Sequence, residues 1–254
     1  MTITEKQLHR YARQVVMPEI DEKGQQALLS AKIAILGAGG LGSPVIANLA
    51  AAGVGNIIIC DDDVVDLSNL NRQFIYRESD VGQPKTMHAK RFIQEINLDV
   101  TVELRQETID ENSLTKILSE CDVLLDCSDR FNTRHFAAKA AFRNGIPHIF
   151  GGATRFDGQM ATFMAGVGGY GDSACFGCIF SKDSDIRQAP NCEQAGILSP
   201  ITGVIGSLQA LETIKWITKS GDLNSNTLVL FDGYTCSFSS IQLNKNYNCS
   251  VCSA

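Results

Sequence analysis

Three groups of residues have types and spacings that suit chemistry. The first is a glycine turn. Gly37, Gly39 and Gly42 follow the G-x-G-x-x-G spacing, with Gly40 between them, directly after the apolar run Ile33–Leu36. In a strand-to-helix turn of this type one glycine makes the bend, one admits a phosphate and one lets the helix pack. The free amides at the helix start then carry the phosphate charge. Asp61, Asp62 and Asp63 close the next apolar run, Asn56–Cys60, where a carboxylate can accept a ribose hydroxyl. Both NAD and ATP offer such a ribose, to Asp61 or to Asp63, so these residues leave the nucleotide open.

The second group is cationic. Arg72 lies in Asp66-Leu-Ser-Asn69-Leu-Asn-Arg72-Gln73, and Lys85 follows in Gly82-Gln-Pro-Lys85. Hydride transfer has no use for two fixed cations beside the phosphates. A reaction at phosphorus does, because charge builds on the leaving group. The third group is cysteine. Cys175-Phe-Gly-Cys178 and Cys249-Ser-Val-Cys252 form two C-x-x-C pairs. Four thiolates make a closed structural zinc site, yet the separation exceeds that of a zinc ribbon, and spacing alone also fits two independent buried or redox pairs. Cys192 stands apart in the polar stretch Pro190–Gly196. Cys60, Cys121 and Cys127 border apolar runs and are expected to pack as small hydrophobes. The four histidines have no metal-like spacing and are expected on helix surfaces or at strand ends.

Taken in order, these motifs resemble the ThiF/MoeB/HesA family of ubiquitin-activating-like enzymes. The resemblance runs from Arg10-Tyr-Ala-Arg13-Gln14 through the glycine turn, Asp61–Asp63, Leu67–Gln73, Lys85 and Leu125-Asp-Cys-Ser-Asp129 to Ala195-Gly196. It implies an adenylyltransferase that uses ATP and Mg²⁺ on the C-terminal glycine carboxylate of a ubiquitin-like sulfur carrier. The small subunit of molybdopterin synthase comes first as carrier and the thiamin pathway's carrier next. A sulfurtransferase or a cysteine desulfurase is implied as a further partner. The resemblance assigns Asp61 to the ribose, Asn69, Arg72 and Lys85 to the phosphates, and Asp129 to Mg²⁺. Asp63 and Gln73 complete the nucleotide site. Arg13 is assigned to the ATP of the other subunit of a homodimer, and Cys192 to uptake of the activated carrier or sulfur. It also favours a structural Zn²⁺ on Cys175, Cys178, Cys249 and Cys252. One departure is visible: family members commonly carry Asn after the aspartate matching Asp129, and this chain has Arg130. A nicotinamide-dependent oxidoreductase and a non-catalytic partner subunit of the ubiquitin-activating type remain as alternatives.

The elements that must position these residues alternate strand and helix, which predicts a Rossmann-like, doubly wound α/β fold with a mainly parallel sheet. Helices are expected from Ser43 as cap and Pro44 as first helical residue to near Gly53, over 84–97, 111–120 and 132–144, and over 201–219 with Gly221 just past the end. In the last of these, Ile201, Val204, Ile205, Leu208, Leu211 and Ile214 form one apolar stripe. Short outer helices are expected over 5–30, and antiparallel strands from Leu228 to Leu243 in a C-terminal extension bearing the zinc site. The whole chain, 1–254, is expected to be a single ThiF-type adenylation domain, with a nucleotide-binding core over 1–165 and a crossover segment, helix and zinc-bearing strands over 166–254.

Composition sets the outer bounds. A chain of 254 residues with 44% hydrophobic and 20% charged residues can bury a large core. A net charge of −6 argues against phosphate-backbone binding, so nucleic acid is not expected as a partner. The first ten residues lack the apolar core of a signal peptide, and no run approaches the roughly 20 apolar residues of a membrane span. A cytoplasmic location without disulfides is the expectation.

Overall fold

The computed structural model of the protein describes residues 3–182 and 195–253. Strand propensity and burial coincide in β1 (Lys32–Leu36), β2 (Asn56–Cys60), β3 (Thr101–Arg105), β4 (Val123–Asp126) and β5 (His148–Thr154). These pair in parallel in the order β3-β2-β1-β4-β5. The chain then turns back on itself, and β6 (Asp157–Phe163), β7 (Thr227–Asp232) and β8 (Ser237–Gln242) extend the same eight-stranded sheet with antiparallel pairs.

Alternation along β1 explains why helices cover both faces. Ile33 and Ile35 point to one side, where α4 (Gly42–Ala52), α5 (Lys85–Ile96) and a long α9 (Ser199–Thr218) pack. Ala34 and Leu36 point to the other, where α6 (Glu111–Leu118) and α7 (Phe131–Asn144) supply Leu114, Leu118 and Ala137. A strand buried on both faces reads as continuous apolar sequence. The chain leaves β1 toward β2 on one side and later returns to β4 on the other, so the carboxyl ends of β1 and β4 flank a switch point, where open α/β sheets bind ligands.

The short helices α1 (Glu5–Arg10), α2 (Ala12–Val15) and α3 (Asp21–Ser30) lie outside, as expected. Thr4 starts α1 with a capping box, its hydroxyl accepting from Gln7 and the Gln7 side chain returning to the Thr4 amide. A third cluster, rich in aromatics, joins Phe150 and Phe163 of the sheet to the four paired cysteines and to α8 (Phe176–Ile179), which follows Cys175 and contains Cys178.

Four local readings change. Helix α4 begins at Gly42 after Leu41, so Ser43 is not its cap and Pro44 is its third residue; the Ser43 hydroxyl instead donates back to the Gly39 carbonyl at 2.9 Å. Helix α9 ends at Thr218 and Lys219 caps it with φ 58, leaving Gly221 two residues too late to do so. In α9 the buried stripe includes Gln209, Glu212 and Thr213, while Leu211 is half exposed. The polar residues are inside because each is hydrogen-bonded there, Glu212 to Thr162, Asn224 and Lys215, and Gln209 to strand carbonyls. Finally, His88 and His135 are buried on helices rather than exposed, and His148 is buried at the start of β5 beside Asp126.

Candidate functional site

The glycine turn is tied down from three sides before any ligand is considered. The Gly37 amide donates to the Cys60 carbonyl at 2.8 Å, and Tyr76 donates its hydroxyl to the Ala38 carbonyl at 2.7 Å. The Ala38 amide donates to Asp61 at 2.7 Å. Gly37 has φ +96, and a Cβ there would sit 3.0 Å from the Cys127 carbonyl oxygen of the neighbouring strand end. A Cβ on Gly42 would lie 2.2 Å from the Gly37 carbonyl oxygen, so this position admits no side chain. The turn therefore presents backbone, with no side chain in front of it.

In front lies a cleft of about 350 Å³. Its wall includes Gly37, Gly39, Gly40, Asp61, Asp63, Asn69, Arg72, Gln73, Lys85 and Asp129, residues contributed by segments far apart in sequence. That volume is within the usual range for a small-molecule site. Gly42, also expected at the nucleotide, does not line the cleft; it packs α4 against the turn. Arg13 is exposed on α2 and does not line the cleft. Cys192 lies outside the described residues.

The electrostatics are set by burial. Lys85 is almost wholly buried and its ammonium meets Asp63 at 2.9 Å. Burial pushes the Asp61 carboxyl above its ordinary value, partly offset by Lys85 and by the amides of Ala38 and Asp63 that donate to it. Asp61 thus does a task that sequence reasoning missed: both carboxylate oxygens fasten backbone of the turn and of its own loop. The loop after β2 is closed by Asp66, which caps the short turn Leu67–Asn69 and receives the Ser68 amide and hydroxyl. Arg72 donates to the Ser68 carbonyl and the Asn71 side chain, which directs its stem along the cleft wall.

Two further observations fit a nucleotide. The buried Oε1 of Gln73 has no hydrogen-bond partner among the described residues, and Gln73 lines the cleft. A buried acceptor left unpaired costs stability unless a ligand supplies a donor. Asp129 is exposed to the cleft in the loop after β4, free to bind a hard cation. That loop is rigid for a reason absent from the motif. The Asp126 carboxylate receives the Ser128 amide at 3.0 Å and hydroxyl at 2.6 Å, and meets His148 at 3.1 Å. Burial pushes the Asp126 carboxyl up, but His148, Arg134 and Ser128 outweigh it and hold it below the ordinary range. The Arg134 guanidinium forks onto the Ser128 carbonyl, and the Gln209 amide bridges the Asp126 and Ile149 carbonyls at 3.0 Å each. No sequence spacing signals these contacts, because His148, Arg134 and Gln209 reach Asp126 and Ser128 from β5, α7 and α9.

The cysteine pairs come together across 74 residues. The Sγ separations are 3.7 Å for Cys175 and Cys178, 3.6 Å for Cys175 and Cys249, and 3.4 Å for Cys178 and Cys252. All four sulfurs lie within 4.8 Å of one another. Tetrahedral zinc with Zn–S bonds of about 2.3 Å requires sulfurs about 3.8 Å apart, so the donor set and its spacing fit the ion. Hydrogen bonding from Cys175 favours the thiolate at Cys178, whereas burial pushes Cys252 up. Cys60, Cys121 and Cys127 are buried as expected, with thiols raised by burial.

The sequence profile of the ThiF family matches residues 11–251. The chain is 36% identical to the sulfur carrier protein adenylyltransferase of Thermus thermophilus over 252 residues, covering 99% of this chain and 93% of the relative. It is 35% identical to the molybdopterin-synthase adenylyltransferase of Escherichia coli over 250 residues, covering 98% of each. Among solved structures, E. coli MccB with MccA-N7isoASN superposes with a TM-score of 0.83 at 26% identity, covering 96% of this chain and 75% of that one.

Proposed function

We propose, from the premise that the chain belongs to the ThiF family and is an adenylyltransferase, that it activates the C-terminal glycine carboxylate of a ubiquitin-like sulfur carrier with ATP. The observation that carries this reading is the convergence of Arg72, Lys85 and Asp129 on one cleft in front of a bare backbone turn. A nicotinamide enzyme leaves those three without a task, and a partner subunit kept only for contact has no reason to retain them.

The chemistry follows from the charges. A C-terminal carboxylate has a pKa of about 3.3–3.7 and is ionised at neutral pH, so it needs no general base. Its oxygen attacks the α-phosphorus, the bond from that phosphorus to the bridging oxygen breaks, and pyrophosphate leaves with the electron pair. The products are a carrier acyl-adenylate and pyrophosphate. Bringing one anion onto another is repulsive, so the work of the site is to hold both and offset their charge. Arg72 and Lys85 supply fixed positive charge, the glycine turn supplies amides, and Asn69, Asp61, Asp63 and Gln73 complete the nucleotide contacts. Asp129, exposed at the cleft wall, would hold Mg²⁺, which would supply further positive charge beside the phosphates. Arg13 serves the cleft of a second copy, which makes the working form a homodimer; the Cys192 thiolate either attacks the acyl-adenylate, with AMP leaving as the thioester forms, or accepts the outer sulfur of a persulfide on the sulfurtransferase or cysteine desulfurase, whose thiolate leaves. Zinc on the four cysteines is structural, pinning the segment around α8 to the tail.

The small subunit of molybdopterin synthase is the first choice of carrier and the thiamin pathway's carrier the second. The location is the cytoplasm; among the described residues no helix is long and apolar enough to cross a membrane. A sulfurtransferase or cysteine desulfurase supplies the sulfur that displaces AMP. Incubating the protein with each purified carrier, ATP and Mg²⁺ and weighing the carrier tests the reading. An added AMP on one carrier is expected; no adduct on either contradicts it.

A further inference from the structure

The loop that bears Asp129 breaks a local rule at its next residue. Arg130 is the N-cap of α7, a 14-residue helix, in extended conformation with φ −89 and ψ 124, and it makes no side-chain cap. Helix starts favour Ser, Thr, Asp or Asn at this position and acidic residues in the first turn, because the free amides and the helix dipole are already positive there. Helix α7 has neither a capping side chain nor an acidic residue in its first turn. A guanidinium at that point adds like charge to like and costs helix stability. Positions that oppose a local preference without a compensating contact are expected at functional or strained sites.

Among the described residues no contact supplies the missing compensation. Four cations line the cleft: Arg72, Lys85, Arg130 and Arg134. Lys85 is paired with Asp63, Arg134 is forked onto the Ser128 carbonyl, and Arg72 donates to Ser68 and Asn71. Arg130 alone among these described residues makes no side-chain hydrogen bond or ion pair, although Asp129 precedes it and Glu107 shares the cleft wall. The first amides of α7 stand beside it, and Thr133 of that first turn also lines the cleft. An unpaired guanidinium next to uncapped helix amides offers forked donors at a point of positive potential. That combination suits the several oxygens and charges of a phosphate chain better than one carboxylate.

We infer that Arg130 is an additional phosphate-binding residue for the nucleoside triphosphate. The inference rests on the ATP-dependent reading of the cleft and deepens it: the site holds the triphosphate with three cations, Arg72, Lys85 and Arg130. In such an arrangement the contribution of Arg130 scales with the number of phosphates on the ligand. Nucleoside binding is indifferent to it.

The test is a calorimetric titration of the full-length protein with adenosine, AMP, ADP and ATP in the presence of Mg²⁺, for the wild type, Arg130→Gln and Arg130→Lys. The expected result is an unchanged adenosine affinity with Arg130→Gln and a loss that grows along the series, about tenfold or more for ATP if one charge-assisted contact is removed. Arg130→Lys restores part of it. Equal losses for adenosine and ATP overturn the assignment, as do unchanged ATP affinity and a weakened carrier KM. If the wild type itself fails to bind ATP, the reading of the cleft fails. If the wild type binds and the variants match it, only the role of Arg130 fails.

Discussion

Replacing Lys85 by methionine separates the two things a buried lysine can do. Its ammonium meets Asp63 at 2.9 Å, but the Lys85 side chain is 7% exposed and that of Asp63 is 57% exposed. With one partner mostly solvated, the pair behaves as an exposed ion pair and contributes at most about 1 kcal/mol. Methionine also keeps the apolar contacts of the lysine stem. Toward a phosphate about 4 Å away, the same ammonium contributes about 4 kcal/mol at an effective dielectric constant of about 20. That figure agrees with the roughly 3–4 kcal/mol lost when one donor is removed from a preorganised anion site. Lys85→Met should therefore slow carrier-dependent pyrophosphate exchange by about 10²–10³, while the melting temperature moves by no more than about 4 °C. Exchange and thermal melts on the same preparation give both numbers. A near-normal rate refutes the phosphate role; a collapse in melting temperature with a matching loss of rate shows that Lys85 acts through folding.

Gly42→Ala places a methyl 2.2 Å from the Gly37 carbonyl oxygen; the turn must shift, at a cost of about 1–3 kcal/mol, and ATP affinity in a fluorescence titration should fall with it. Metal analysis of the purified protein should find zinc, and Cys249→Ser should lose it together with thermal stability of the α8 and tail region, followed by hydrogen exchange; unchanged zinc content contradicts the four-thiolate site. The bidentate hydrogen bond from Arg91, with bonds of 2.8 and 2.7 Å, holds the Asp80 carboxyl below its ordinary value. The unfolded carboxylate, titrating near about 3.9, takes up its proton first as pH falls. The stability from this pair is therefore present above that value and lost below it. Denaturant melts of Asp80→Asn between neutral and acid pH should show a shallower acid decline than the wild type.

What was legible in the sequence was whatever acts locally. The glycine turn, the strands as apolar runs and the helices as periodic segments depend on neighbours within a few residues, and their order implied the parallel half of the sheet. Arg72, Lys85 and Asp129 were grouped through the family resemblance, and they meet because a doubly wound sheet brings the loops after β2 and β4 and the start of α5 to one edge. The errors have the opposite character. Ser43 looks like a cap, yet the turn's own backbone starts α4 two residues earlier, with Leu41 in the cap position. Lys219 takes the left-handed place that Gly221 was expected to hold, and its ammonium sits 3.5 Å from the centre of the Trp216 ring. Leu211 faces out because Gln209 and Glu212 have partners across the sheet that no periodicity reveals. For the same reason the support beneath Asp129, made by Asp126, His148, Arg134 and Gln209, was invisible: every contact in it except those to Ser128 joins separate elements.

The central claim is that this cleft joins a carrier's carboxylate to the α-phosphate of ATP. Isotope exchange between pyrophosphate and ATP reads that step alone, because it needs reversible adenylate formation and nothing downstream. The account predicts exchange that requires Mg²⁺ and an intact carrier and disappears when the carrier's terminal glycine is removed. Exchange that persists without the glycine, or none with either sulfur carrier, contradicts it.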